Sequence, residues 1–245
     1  MKDKLAHYAR IALRLLFVPK CVGCGLRMPP DSGAVLCPVC RAGYENEKEN
    51  TCSVCGGRMA DCLCLPREMQ KRGVKRMAKL YYYEPQRGEV GARLIYTLKH
   101  KNLCALQDFL GKELAASLRP LGEEGDLIVT YPPRSRRGIR HDGFDHAEAL
   151  SAALAKHLSG THMCTLRRTR DSAQKTLSRT ARLAAAVGDY ALMPNIDLRG
   201  RRVVLCDDVC TTGATLRACA RLLRSAGAKE VVLATLAVTP QKNPR

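Results

Sequence analysis

The stretch VVLCDDVCTTGATLRACARLL, Val203 to Leu223, decides how the chain folds. Four apolar residues run into two aspartates, then a threonine- and glycine-rich turn, then apolar residues at helical spacing. The pattern predicts a buried strand over Val203–Cys206 that delivers Asp207 and Asp208 to its carboxyl end. A loop, Val209 to Thr212, then leads into a helix starting near Gly213. Backbone N–H groups at such a helix start attract an anion, and the hydroxyls of Thr211, Thr212 and Thr215 add donors while Gly213 lets the backbone approach closely. Carboxylates repel phosphate, so Asp207 and Asp208 must face another part of the ligand, such as neighbouring sugar hydroxyls that donate to them. A ribose 5-phosphate meets both demands.

Outward from this stretch, the chain alternates strand-like and helical segments from about residue 75. AKLYYYE, DLIVTYPP, HMCTL, RRVVLCDD and EVVLATLAV read as strands. Between them EVGARLIYTLKHK, LCALQDFLGKELAASL, FDHAEALSAALAKHL, KTLSRTARLAAAV and GATLRACARLLRSAG carry helical spacing. Such alternation implies an α/β fold with a mostly parallel sheet flanked by helices and ligands at the carboxyl ends of its strands.

Eight of the 13 cysteines precede residue 65 in paired spacings. Cys21-x-x-Cys24 and Cys37-x-x-Cys40 are followed by Cys52-x-x-Cys55 and the tighter Cys62-x-Cys64. This is metal-ligand spacing, and it predicts two four-thiolate zinc sites that stabilise a module too small for a core of its own. Sequential pairing is the simplest, with an interleaved one open. Four thiolates leave no position for water, so these sites are structural. Two units are expected, residues 1–72 with an N-terminal helix and the cysteine module, and residues 73–245 with the sheet. Leu5, Tyr8, Ala9, Ala12, Leu15 and Leu16 place the helix near the start, packing on the rest of the protein.

Lys and Arg number 41 against 23 Asp and Glu, a formal net charge of +18, which favours phosphates, nucleic acid or an anionic surface as partners. Aromatic residues make up 4% with no tryptophan, a poor supply of stacking platforms for single strands. Reduced cysteines, no signal-peptide pattern and no long apolar run point to a cytoplasmic protein without a transmembrane segment.

The run DDVCTTGAT, Asp207 to Thr215 including Val209, Cys210 and Ala214, resembles the phosphoribosyl pyrophosphate motif of type I phosphoribosyltransferases. The whole chain is similar to one branch of that superfamily, the ComF competence-protein family, in which a double zinc ribbon precedes such a domain. LLFVPKCVGCG, LIYTLKHK around Lys99, IVTYPPRSRRGIRHDGFDHAEALSAALA and QKTLSRTAR carry the likeness together with the terminal motif. One departure is Asp142-Gly143-Phe144-Asp145-His146, where the family more commonly has Arg-Gly-Phe-Asn-Gln; it removes a cation near the expected ligand edge.

The resemblance implies that Arg134, Ser135 and Arg136, in the loop Tyr131 to Arg137, hold pyrophosphate. It also implies that LRRTRDSAQKTLSRTAR is a mobile loop whose Arg168, Gln174, Lys175 and Arg182 stabilise departing pyrophosphate. Mg2+ would accompany the ligand. Three functions follow as expectations: a phosphoribosyltransferase acting in DNA uptake, a non-catalytic DNA-associated competence factor, and a phosphoribosyl pyrophosphate sensor. Single-stranded DNA and competence proteins are the implied macromolecular partners, and His141 and His146 are expected in polar helix-start roles.

Overall fold

The computed structural model describes residues 18–29, 32–66, 69, 74–119, 126–169 and 188–240. The expected helices near residues 5–16 and 175–187 lie outside them. In chain order the elements are α1 (Pro38–Lys48), β1 (Met77–Tyr82), α2 (Val90–His100), α3 (Cys104–Leu118), β2 (Leu127–Thr130), α4 (Arg136–Asp142) and α5 (His146–His157). After these come β3 (Thr161–His162), β4 (Leu166–Arg168), β5 (Tyr190–Leu192), β6 (Arg202–Cys210), α6 (Ala214–Ser225) and β7 (Glu230–Val238).

Five strands form one parallel sheet in the order β1-β7-β6-β2-β3. The most apolar strands, β6 and β7, sit inside it, as a sheet covered on both faces requires. Alternation along β6 assigns the faces. Val204 and Cys206 point into a core with Leu94, Leu98, Leu110 and Leu154 of α2, α3 and α5. Val203 and Leu205 point the other way, onto Leu216, Cys219 and Leu223 of α6. A small antiparallel pair, β4 with β5, lies on the α6 side through Leu166 and Tyr190.

The cysteine-rich segment packs directly on the sheet domain. Tyr44 of α1 is fully buried, edge-on to Tyr81 of β1 at 5.8 Å and tilted against Phe109 of α3 at 5.6 Å. The Glu47 carboxylate accepts hydrogen bonds from the backbone N–H of Val90 (2.6 Å) and Gly91 (2.8 Å), so α1 supplies the cap that α2 lacks in its own sequence. Glu113 of α3 receives Arg41 and Lys48 at 3.0 and 2.5 Å. No helix among the described residues is long and apolar enough to cross a membrane.

Two local expectations change. Strand β6 does not stop at Cys206 but runs on through both aspartates to Cys210, because β7 continues alongside and pairs Asp207 with Thr235 and Cys210 with Val238. The segment after Tyr131 is partly helical, since Ser135 caps α4 by accepting from the Gly138 N–H at 3.1 Å.

Candidate functional site

The site is built where β6 ends. Asp207 and Asp208 occupy adjacent positions on a strand, so their side chains leave on opposite faces and serve different surroundings. Asp208, nearly buried, faces the α2 and α5 side. Its Oδ2 lies 2.9 Å from Lys99 Nζ at the end of α2 and 3.2 Å from His146 Nε2 at the start of α5, while Oδ1 accepts from the Val209 N–H at 2.6 Å. Burial works to raise the Asp208 carboxyl, but the His146 hydrogen bond and the Lys99 charge more than offset it and hold the group well below the usual carboxylate range. Asp207 makes no ion pair among the described residues, and burial together with the Asp208 charge pushes its carboxyl upward.

Beyond the strand, Thr211 and Thr212 turn the chain, with Thr212 Oγ1 accepting from the Ala214 N–H at 3.3 Å. Gly213 takes φ of 67° in the left-handed region and starts α6 with no side-chain cap. A Cβ there would come within 2.6 Å of Met69 Sδ, a flexible side chain that could shift, so it is the left-handed conformation that favours glycine. Among the described residues, Thr212 is the side chain that takes up an N–H at the start of α6, which suits an anion-binding turn. Thr215 follows on the first turn, beside the Tyr190 hydroxyl.

The loop after β2 reaches the same centre. The Arg134 N–H donates to Asp145 Oδ2 at 2.8 Å, and the same carboxylate caps α5 through the Ala147 N–H at 3.0 Å, directly before His146. Asp145 thus ties the loop to the start of α5, where the next residue, His146, reaches Asp208, the partner of Lys99. The Arg134 guanidinium is already engaged, by Asp142 Oδ2 at 2.6 Å and by the Phe144 carbonyl at 3.3 Å. The aspartate at position 142 therefore does more than remove a cation: it sets an anion on Arg134. His141, then Arg134, hold that Asp142 carboxyl far below its ordinary range. Arg136 is exposed on the first turn of α4. Arg168, on β4, lies over the Tyr190 ring at 5.5 Å and 3.9 Å from Asp189. Gln174, Lys175 and Arg182 lie outside the described residues.

The eight N-terminal cysteines come together in sequence order. Cys21, Cys24, Cys37 and Cys40 form one group and Cys52, Cys55, Cys62 and Cys64 the other, with ligand atoms in each group within 4.8 Å of one another. The 3.8 Å between Cys24 Sγ and Cys37 Sγ is about the sulfur spacing that Zn–S bonds of ~2.3 Å give in a tetrahedron. Four convergent thiols per group fit a zinc ion in donor chemistry and in size. Both knuckles fold alike, the Gly25 N–H bonding the Cys21 carbonyl and the Gly56 N–H the Cys52 carbonyl, with φ of 76° and 75°. They differ in one neighbour. Lys79 of β1, almost fully buried, donates to Cys62 Sγ at 3.2 Å and to the Cys64 carbonyl at 2.8 Å.

Lys99, His146, Asp145, Lys79 and Glu47 are the residues that reading along the chain did not assign to these roles. Lys99 stood inside a quoted motif without a partner, and His146 stood as an ordinary helix-start residue. The partners of Lys99, His146 and Glu47 lie 43 or more positions away and that of Lys79 lies 17 away, so folding brings them together, whereas Asp145 bonds Arg134 and Ala147 within its own stretch of chain.

Comparison with known proteins agrees with this architecture. A family model described as "Phosphoribosyl transferase domain" matches residues 138–245. The DNA utilization protein YhgH of Salmonella typhimurium is 31% identical over 206 residues, covering 80% of this chain and 87% of that protein. Its Escherichia coli counterpart is 28% identical with the same coverage. A shorter match, 70% identical over 33 residues, is to the adenine phosphoribosyltransferase of Mycobacterium avium, of which this chain spans only 18%. Among solved structures, the purine phosphoribosyltransferase of Pyrococcus horikoshii is 22% identical with a TM-score of 0.37, over 57% of this chain and 77% of that one.

Proposed function

The chain belongs to the ComF family, that of the DNA utilization protein YhgH, and from that premise we propose that it binds phosphoribosyl pyrophosphate at the end of β6. The observation that carries the reading is the turn itself. Gly213 bends the chain into α6, with Thr211 and Thr212 in the turn and Thr215 on the helix's first turn, while two carboxylates on adjacent strand residues stand just before it. The 5-phosphate takes the turn, and Asp207 and Asp208 accept from the ribose hydroxyls. Mg2+ bound with the ligand would supply charge to the pyrophosphate oxygens. Of the two carboxylates, Asp208 already has Lys99 and His146 as cationic or donor neighbours, which leaves Asp207 the freer acceptor.

Turnover, if it occurs, is displacement of pyrophosphate from ribose C1. No protein nucleophile is needed, and the tasks of the chain are to hold the sugar, to exclude water and to place cations on the departing anion. For Arg134 to join them, its guanidinium must leave Asp142, so pyrophosphate competes with a carboxylate for that donor. Arg168, Gln174, Lys175 and Arg182 are the remaining candidates.

A second reading, a DNA-associated factor without turnover, is favoured by the net charge of +18 and by the name of the relatives. Such a protein grips phosphates without reading sequence. Calorimetric titration with phosphoribosyl pyrophosphate and Mg2+ tests the first reading. Asp207→Ala with Asp208→Ala should weaken binding at least tenfold, since each lost charged hydrogen bond contributes about 1.5–3 kcal/mol. Unchanged affinity in that double variant removes the ribose from this site. Pyrophosphate release with pooled nucleophiles, against salt-dependent DNA association, separates the two readings.

A further inference from the structure

We propose that Asp142 is a tethered competitor for the pyrophosphate group: its carboxylate occupies Arg134, and a pyrophosphate-bearing ligand reaches that arginine only by displacing it. The inference deepens the phosphoribosyl reading and rests on it for the identity of the ligand. The exchange of partners at Arg134 stands on the geometry of the loop and α4.

The pairing itself is tight. The Arg134 guanidinium folds back over α4, where Asp142 Oδ2 accepts from Nη2 at 2.6 Å and the Phe144 carbonyl accepts from Nη1 at 3.3 Å. Gly138 leaves room for it, since a Cβ there would stand 3.3 Å from Nη2, closer than ordinary contact. The Asp142 side chain is 8% exposed and that of Arg134 23%, so water and salt screen this pair less than a surface one.

Nothing in α4 itself calls for the carboxylate. Asp142 is the last residue of the helix, where the dipole presents its negative end and an anion is unfavourable. Gly143, with φ of 78°, already closes the helix by donating its N–H to the Ile139 carbonyl at 2.7 Å. The His141 hydrogen bond, and after it Arg134, hold the Asp142 carboxyl far below its ordinary range, so the anion is fully present at neutral pH.

The alternative arrangement is prepared as well. Asp142 Oδ1 lies 2.8 Å from His141 Nδ1 and 3.6 Å from His100 Nδ1, so the carboxylate keeps partners once Arg134 leaves it. A buried carboxylate with no other partner would be too costly to release. The loop is fastened through the Arg134 backbone N–H to Asp145, which leaves the guanidinium able to swing while the main chain stays in place. Asp145 also caps α5 directly before His146, the neighbour of Asp208, so the swinging group belongs to the edge of the ligand site.

A guanidinium fork binds carboxylate and phosphate through the same N–H donors, so the two anions compete for one arginine. Tethered 8 residues away, the carboxylate acts at a high effective concentration that a free anion must overcome. Pyrophosphate is thereby held more loosely, both within the ligand and as the group that must depart, while the 5-phosphate and ribose are untouched.

The test uses the full chain with both metal sites loaded and titrates it calorimetrically with inorganic pyrophosphate, phosphoribosyl pyrophosphate and ribose 5-phosphate, each with Mg2+. Asp142→Asn keeps the shape and removes the charge, and Asp142→Ser stands beside it so that one folding failure does not end the test. Both variants should bind the two pyrophosphate-bearing probes about fivefold or more tightly than wild type, and ribose 5-phosphate within about twofold. Adding Arg134→Gln to Asp142→Asn should abolish the gain. A carboxylate that only orients Arg134 has the opposite sign: weaker pyrophosphate binding in Asp142→Asn overturns the proposal, as does unchanged affinity or an equal gain for ribose 5-phosphate. Pyrophosphate binding that depends on Asp142, with no binding of either ribose-bearing probe, sinks the phosphoribosyl reading and leaves the competitor standing. Binding of none of the three probes by any of these chains sinks both.

Discussion

Replacing Lys99 with Met should destabilise the protein by about 2 kcal/mol. The estimate comes from where the pair sits: exposed ion pairs contribute about 0–1 kcal/mol, and breaking a fully buried one costs about 3–5. Here the Lys99 side chain is 34% exposed and that of Asp208 only 8%, with 2.9 Å between them, so the pair falls between those limits. The exposure is also unequal, which makes the two single substitutions unequal. Lys99→Met leaves a buried carboxylate with His146 as its remaining side-chain partner, whereas Asp208→Asn leaves an ammonium that can turn to water and should cost about half as much. For a domain of this size 2 kcal/mol corresponds to roughly 4–8 °C in Tm.

The pH dependence gives a second handle on the same pair. A carboxyl held below its unfolded value contributes stability that is present above that value and lost as pH falls through the folded one. Lys99→Met lets Asp208 rise, so the gap between wild type and variant is full at neutral pH and narrows below the ordinary carboxylate range. Thermal melts of wild type, both single variants and the double variant, from neutral pH into the acid range, measure all of this. A Lys99→Met shift under about 1 °C, an Asp208→Asn cost larger than the Lys99→Met cost, or a gap that ignores pH refutes the reasoning.

Three further outcomes are expected. Asp207 is pushed upward by burial and by Asp208, so the ligand-free chain loses stability as pH climbs from the ordinary carboxylate range through that raised value; because ribose hydroxyls need the ionised form, phosphoribosyl pyrophosphate should bind more tightly as pH rises through neutral, releasing protons, seen as buffer-dependent heats in calorimetry. Glu47→Ala removes the acceptor for the Val90 and Gly91 N–H groups and should cost about 0.5–2 kcal/mol in denaturant unfolding, as loss of a helix cap does, although the residue is far from the ligand site. Metal analysis should find two zinc ions per chain and one in Cys37→Ser; a Lys79→Met variant should lose the second ion to a chelator sooner than wild type, because the ammonium that donates to Cys62 Sγ is gone.

Local order carried much of the design. Four apolar residues before two acidic ones announced a strand, Gly25 and Gly56 directly after two of the CxxC pairs suit the left-handed turns found there, and sequential grouping of the cysteines was the simplest reading of their spacing, with the fold deciding it over an interleaved one. These features depend on residues a few positions apart, and a sequence displays such neighbours directly. The length of β6 was not legible, because the strand continues only while β7 has residues to pair with it. Nor was the engagement of Arg134 by Asp142, which closes when α4 folds back on its own loop.

The remaining partnerships belong to the tertiary structure alone. Lys99 meets Asp208 across 109 positions of chain, Glu47 caps a helix 43 and 44 residues later, and Lys79 reaches back to Cys62 across 17. Charge type says that a lysine seeks an anion but not which of the 23 acidic residues it finds. That choice is made when the parallel sheet brings distant strand and helix ends to one edge, where burial makes an unmatched charge too costly to keep.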